Sequence, residues 1–109
     1  MSTYSDCITQ LNDTFRKTFS GGKVTLTQGI AALRMELQQK ILAQVQEFND
    51  FNSDNDPYAE HDFGAFKLEG KRICWKIDYY DLTLTYGSEH PEDPTQTVRV
   101  LTVMLANEY

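Results

Sequence analysis

The side chains best equipped for chemistry fall in one block. From Asn55 to Asp81 the chain reads NDPYAEHDFGAFKLEGKRICWKIDYYD, gathering acids, one histidine and several aromatics around a hairpin pattern. Asp54, Asp56, Glu60, His61 and Asp62 offer carboxylate oxygens and an imidazole, donors suited to a divalent cation. The spacing rejects an EF-hand: counting from Asp54, Ala59 stands where the loop glycine is needed and Ala65 where the terminal glutamate is needed. The plainer reading is that these side chains cap turns and bind the loop to the hairpin.

A general acid/base set would need two of Glu60, His61, Asp62, Asp78 and Asp81 to converge on a pocket with their pKa values pushed apart. Asp78 follows Lys76 on the same strand face, so a surface ion pair accounts for it more simply. The order Trp75, Lys76, Ile77, Asp78 is also the reverse of the acid-x-Lys unit used by nucleases. With no complete constellation and no cofactor motif, the sequence favours a non-enzymatic protein without a cofactor, and a metal-dependent enzyme using residues 54–62 is the alternative. Trp75, Tyr79, Tyr80 and Tyr86 could stack bases, but such platforms line a basic groove and the charge here is negative. Tyr79 and Tyr80, beside a chain reversal, suit a protein interface instead. Asp54, Asp56, Tyr58, Glu60, Asp62, Asp78, Tyr79, Tyr80 and Asp81 therefore form the candidate protein-binding set.

Charge sharpens that choice. The net charge of -6 conceals an asymmetry, because Glu47 to Asp93 holds twelve acids against four bases and is -8, whereas the remainder is +2. Phosphate backbones attract clustered lysine and arginine, and none is clustered here, so direct nucleic-acid binding is disfavoured and a basic protein partner is easier to accommodate. No apolar run resembles a signal peptide or spans a bilayer, which points to a cytoplasmic protein with no membrane contact. Cys7 and Cys74 show no zinc spacing, and in a reducing compartment they are expected to remain thiols.

The elements that must position these residues are read from periodicity. In 109 residues there is room for one core and one domain, residues 1–109. Ile8, Leu11, Phe15 and Phe19 recur at helical steps from Tyr4 to Phe19, and Gly21 and Gly22 stop that helix. Val24 and Leu26 alternate in a short strand pattern over 23–27. Thr27 can cap the next segment, where Ile30, Leu33, Leu37, Ile41, Val45 and Phe48 fit either one long helix or a turn and a helix.

Asp50 to Asp62 is a structured loop in which Phe51 and Tyr58 need somewhere to dock. Phe63 to Leu68 and Arg72 to Tyr79 then form a hairpin about Glu69 and Gly70. In that register Leu68 faces Lys71, Phe66 faces Ile73, and Gly64 leaves room for the Trp75 indole. A second reversal near Tyr79 and Tyr80 would pair Ile77 with Leu82, Trp75 with Leu84 and Ile73 with Tyr86, placing Phe66, Ile73, Trp75, Ile77, Leu82, Leu84 and Tyr86 on one face. Lys67, Arg72, Cys74, Lys76, Asp78, Thr83 and Thr85 would line the wetter face. After a loop over 87–94, Asp93 and Pro94 resemble a helix start, and Val98, Leu101, Met104 and Leu105 its buried stripe, although VRVLTV has strand propensity. The expected fold is α+β: an antiparallel sheet of three or four strands, a meander over 63–86 with residues 23–27 as a candidate fourth, packed against two or three helices.

At NDPYAEHDFGAF, WKIDYYD and VLTVMLANEY the chain resembles a family of small uncharacterised bacterial proteins, a domain of unknown function met often on plasmids and other mobile elements. The resemblance runs from about Leu11 to Tyr109 and brings no catalytic residues. Its members often carry glycine where this chain has Ala59, a departure that bears on how sharply the loop can turn. Mobile elements encode many small acidic accessory proteins, including inhibitors of restriction and CRISPR systems, some of which imitate the charge of DNA. The resemblance therefore implies an anti-defence inhibitor that binds a basic host protein or nucleoprotein complex through the acidic segment. A regulatory or scaffold module with a partner from the same element is the other binding-protein reading.

Overall fold

The computed structural model describes residues 4–109, apart from the side chains of Tyr4 and Ser5. Helix α1 runs Tyr4–Thr18, β1 Gly22–Leu26, α2 Gln28–Ala31, α3 Met35–Glu47, β2 Phe63–Leu68, β3 Lys71–Tyr80 and β4 Val98–Leu105, followed by a 3-10 turn over Ala106–Glu108. The strands form one sheet in the order β1-β4-β3-β2. Only β1 and β4 are parallel, so the sheet is mixed where the sequence predicts a purely antiparallel one.

The first helix and the hairpin follow the sequence closely. Phe19, with φ 57, takes the left-handed position that ends α1, and Gly21 continues the turn at φ 97. Glu69 and Gly70 both have positive φ, at 50 and 79, as a two-residue hairpin turn requires. The β2/β3 register pairs Leu68 with Lys71, Phe66 with Ile73 and Gly64 with Trp75. A Cβ on Gly64 would lie 2.5 Å from the Trp75 indole nitrogen and 2.7 Å from the Phe48 ring, so the close approach of strand and rings requires glycine. The helical pattern from Ile30 to Phe48 resolves into the short α2 and the longer α3. Thr27 occupies the first cap position without using its side chain there. Its hydroxyl instead donates to Glu108, 2.6 Å away, and the Glu108 carboxylate accepts the N–H of Gly29.

Two expectations are overturned together. Leu82–Tyr86 is not a strand, and residues 98–105, expected as a helix, form β4 and take its place against β3. Ile73, Trp75 and Ile77 therefore face Leu105, Val103 and Leu101 rather than Tyr86, Leu84 and Leu82. Local hydrogen bonding explains the first change: one Asp81 carboxylate oxygen accepts the N–H groups of Thr83 and Thr85, folding the segment into a turn. Burial explains the second. The alternating residues of VRVLTVML bury Leu101 and Val103 completely in a central strand, whereas Leu82, Leu84 and Tyr86 are left exposed. Asp93 does cap, but only its own turn, accepting from Thr95 and Gln96.

The core lies between the helices and one sheet face. Phe15, Ile30, Leu37, Ile41, Val45, Ile73, Trp75, Ile77, Leu101 and Val103 form it. On the other face, strand alternation groups Lys67, Arg72, Cys74, Lys76 and Asp78. Cys74 is nevertheless buried there, and Cys7 and Cys74 are both free thiols. Burial raises the Cys74 pKa, with a smaller contribution from the Glu108 charge.

Candidate functional site

The segment 49–62 owes its shape to side chains that turn inward. Ala59 and His61 hold left-handed backbone conformations, with φ 55 and 56, so the sharp turn exists here without a glycine. Asp56 is buried and its carboxylate accepts the N–H groups of Glu60, at 3.0 Å, and His61, at 3.2 Å. His61 Nδ1 lies 2.9 Å from Asp13 Oδ1 on α1, and its ring stacks on Phe51 with centroids 3.8 Å apart.

Beneath the loop lies a polar layer that sequence reasoning did not single out. Asn12, wholly buried on α1, donates to the Glu60 carbonyl and the Tyr79 hydroxyl and accepts from Arg99 Nε. Tyr79 in turn donates to the Glu60 carboxylate at 2.7 Å. Burial is the main reason its pKa is raised strongly, so it acts as a fixed proton donor in this network. Arg16 donates to the carbonyls of Val45 and Phe48, which end α3, and its Nη1 pairs with Asp13 at 3.2 Å. Its guanidinium also lies over Phe51 and Trp75. Burial lowers the pKa of Arg16, against the opposing pull of Asp13, and burial also lowers that of Arg99.

A signal for this layer exists in the sequence. Ile8, Asn12 and Arg16 share one helical face at steps of four, so the buried stripe of α1 carries polar residues where Leu11 was expected. Arg99 was hidden by the helical reading of its segment. As a strand residue it shares the core face with Leu101 and Val103.

The nine candidate binding residues consequently divide. Asp56, Glu60 and Tyr79 belong to the internal layer. Asp81 organises its own turn. Tyr58 is exposed, and Tyr80 lies half-buried on the open sheet face. Asp54, Asp62 and Asp78 come together in a groove with Asn55, Phe63, Lys76 and Tyr109. Asp78 is paired there with Lys76 at 2.7 Å. Burial, reinforced by the charge of Glu60, raises the Asp62 pKa. A second groove beside β2 is lined by Glu47, Asp50, Phe48, Ala65 and Phe66. The two grooves thus hold five carboxylates, Glu47 and Asp50 beside the middle of β2 and Asp54, Asp62 and the β3 residue Asp78 around its Phe63 end, with Lys76 as the one cation lining either groove. Among the described residues, no group of three or more histidine, cysteine or acidic side chains is arranged to hold a metal ion.

The fold and this border define a small α+β domain with a mixed four-stranded sheet, one open sheet face and an acidic edge. The chain belongs to a family of proteins of unknown function, DUF3768, whose profile matches residues 26–108. No curated protein and no solved structure matches it. None of the helices among the described residues is long and apolar enough to cross a membrane.

Proposed function

We propose that this protein is a non-enzymatic binding module whose acidic border along β2 meets a basic protein surface in the cytoplasm. One observation carries the reading: Glu47, Asp50, Asp54, Asp62 and Asp78 line two grooves that each include residues of β2 and together contain a single lysine. Asp62 adds support, because a carboxylate held half-buried beside other acids is unfavourable for the isolated fold and is relieved by a cationic partner. The reading differs from a general acid coat. Glu69 is held by Arg34 and Lys40, and Asp81 and Asp93 are occupied in turns, whereas Glu47, Asp50 and Asp54 near β2 enter no ion pair among the described residues.

The finer form of the proposal is an anti-defence inhibitor carried by a mobile element, with a host nucleic-acid-targeting protein or nucleoprotein complex as its partner. A surface built to receive phosphates is basic, and an acidic edge competes for it without itself binding nucleic acid. Capture of interactors from a defence-proficient host lysate tests this, followed by direct binding of the captured protein at low and high salt. The expected result is a basic host protein whose affinity falls steeply with salt and with Glu47→Lys, Asp50→Lys and Asp54→Lys together. Salt-insensitive binding would reject the acidic border as the contact, and a partner encoded beside this chain would replace the inhibitor with a scaffold role.

A further inference from the structure

The outermost strand of the acidic border is itself unpartnered. Because β2 ends the sheet, only one of its two edges meets β3. The two-residue turn at Glu69 and Gly70 makes Leu68 and Lys71 a hydrogen-bonded pair, and alternation then directs the N–H and C=O groups of Phe63, Ala65 and Lys67 away from β3. The Ile77 N–H donates to the Asp62 carbonyl at 2.8 Å, as that alternation requires. Among the described residues, no backbone or side-chain group hydrogen-bonds the outward groups of these three. The strand has six residues, about 20 Å at the usual rise, and carries none of the prolines that commonly block an edge.

Charge along this edge is polarised. Its Phe63 end adjoins the carboxylates of Asp54 and Asp62. Its turn end carries Lys67, Lys71 and Arg72, all exposed and in no ion pair among the described residues. Neither acidic groove is lined by residues of β1, the strand at the opposite edge of the sheet.

We infer that the free edge of β2 receives an extended segment of a protein partner, added as a fifth strand, with lysines or arginines at the end that lies beside Phe63. Main-chain hydrogen bonds to Phe63, Ala65 and Lys67 supply the attachment, and the flanking carboxylates select the cationic end. This mode rests on the proposed basic partner but can fail separately from it.

The probe is a short synthetic peptide of alternating valine and threonine with three lysines at one end and two glutamates at the other. A second peptide of equal charge has proline at alternate positions and cannot form a strand. The first is expected to bind and to slow hydrogen exchange at the amides of Phe63, Ala65 and Lys67. The second should bind at least roughly tenfold more weakly. Ala65→Pro, which removes an outward N–H at an edge, should abolish the difference while circular dichroism and melting report the fold. Equal binding of the two peptides would overturn strand addition while leaving the acidic border intact. Failure of the first peptide to bind at millimolar concentration also overturns it, with the basic-partner reading judged by the captured protein.

Discussion

Two acidic, turn-rich segments connect the elements of this protein, and they differ in how far their polar side chains reach. Between α3 and β2, Asp56 and Glu60 turn inward, and His61 reaches Asp13 on the first helix. Between β3 and β4, Asp81 and Asp93 hydrogen-bond residues two to four positions ahead in their own turns. The second segment has wider ties too, but they span fewer than ten positions and are made by Arg99, whose guanidinium reaches the Pro91 carbonyl, and by Thr97. Similar composition therefore builds a tertiary clasp in one place and a string of local turns in the other. The difference lies in what each segment passes over: the first crosses α1 and β3, where Asn12 donates to the Glu60 carbonyl, Tyr79 to the Glu60 carboxylate, and Asp13 meets His61.

Breaking the clasp should have the largest effect. Arg16→Leu leaves the terminal carbonyls of α3 and the Asp13 carboxylate without their shared donor, and is expected to destabilise by about 3 kcal/mol in denaturant unfolding. Asp56→Ala removes one acceptor serving two loop N–H groups and should cost about 2 kcal/mol, with faster exchange at the Glu60 and His61 amides. Ala59→Gly works in the other direction. Relieving the left-handed strain of alanine should raise stability by up to about 1 kcal/mol, and a loss would show that the turn is not strained.

A smaller and pH-dependent gain is expected from Asp62→Asn. Because burial raises the carboxyl pKa in the folded protein, its contribution is favourable below the unfolded pKa and is lost as pH rises through the folded value. The asparagine variant should therefore melt higher than the wild type at neutral pH, with the advantage disappearing in acid. Asp93→Ala should have the smallest effect on melting, since its bonds to Thr95 and Gln96 are local and exposed. Hydrogen bonding lowers the Asp93 pKa, so what it contributes is present at neutral pH and fades as pH falls through that lowered value. A global loss of stability on Asp93→Ala would erase the contrast between the two segments.

The legible parts of the molecule were those decided locally. The hairpin register follows from the Glu69-Gly70 turn and from the match of Gly64 to Trp75, which lie within twelve positions of one another. The α1 and α3 helices follow from apolar spacing that one element displays by itself. The Asp93-Pro94 signal misled because capping chemistry is shared by turns and helices, and the residues beyond it gained more by joining the sheet. The candidate site was half legible for a related reason. Its acids are visible in sequence, but whether each faces solvent depends on Asn12, Arg16, Tyr79 and Arg99, which are up to 87 positions apart.

Composition and periodicity by themselves determined an acidic α+β domain, its first helix, the helical character of residues 30–48, its hairpin and the concentration of charge in the middle of the chain. Tertiary structure alone decided that residues 98–105 pair with β3, that β1 joins them in parallel, and which carboxylates remain outside. The physical reason is competition for distant partners. A strand is chosen by the apolar face it can cover and a buried polar side chain such as Asn12 by partners as distant as Tyr79 and Arg99, and neither is encoded in the neighbouring residues.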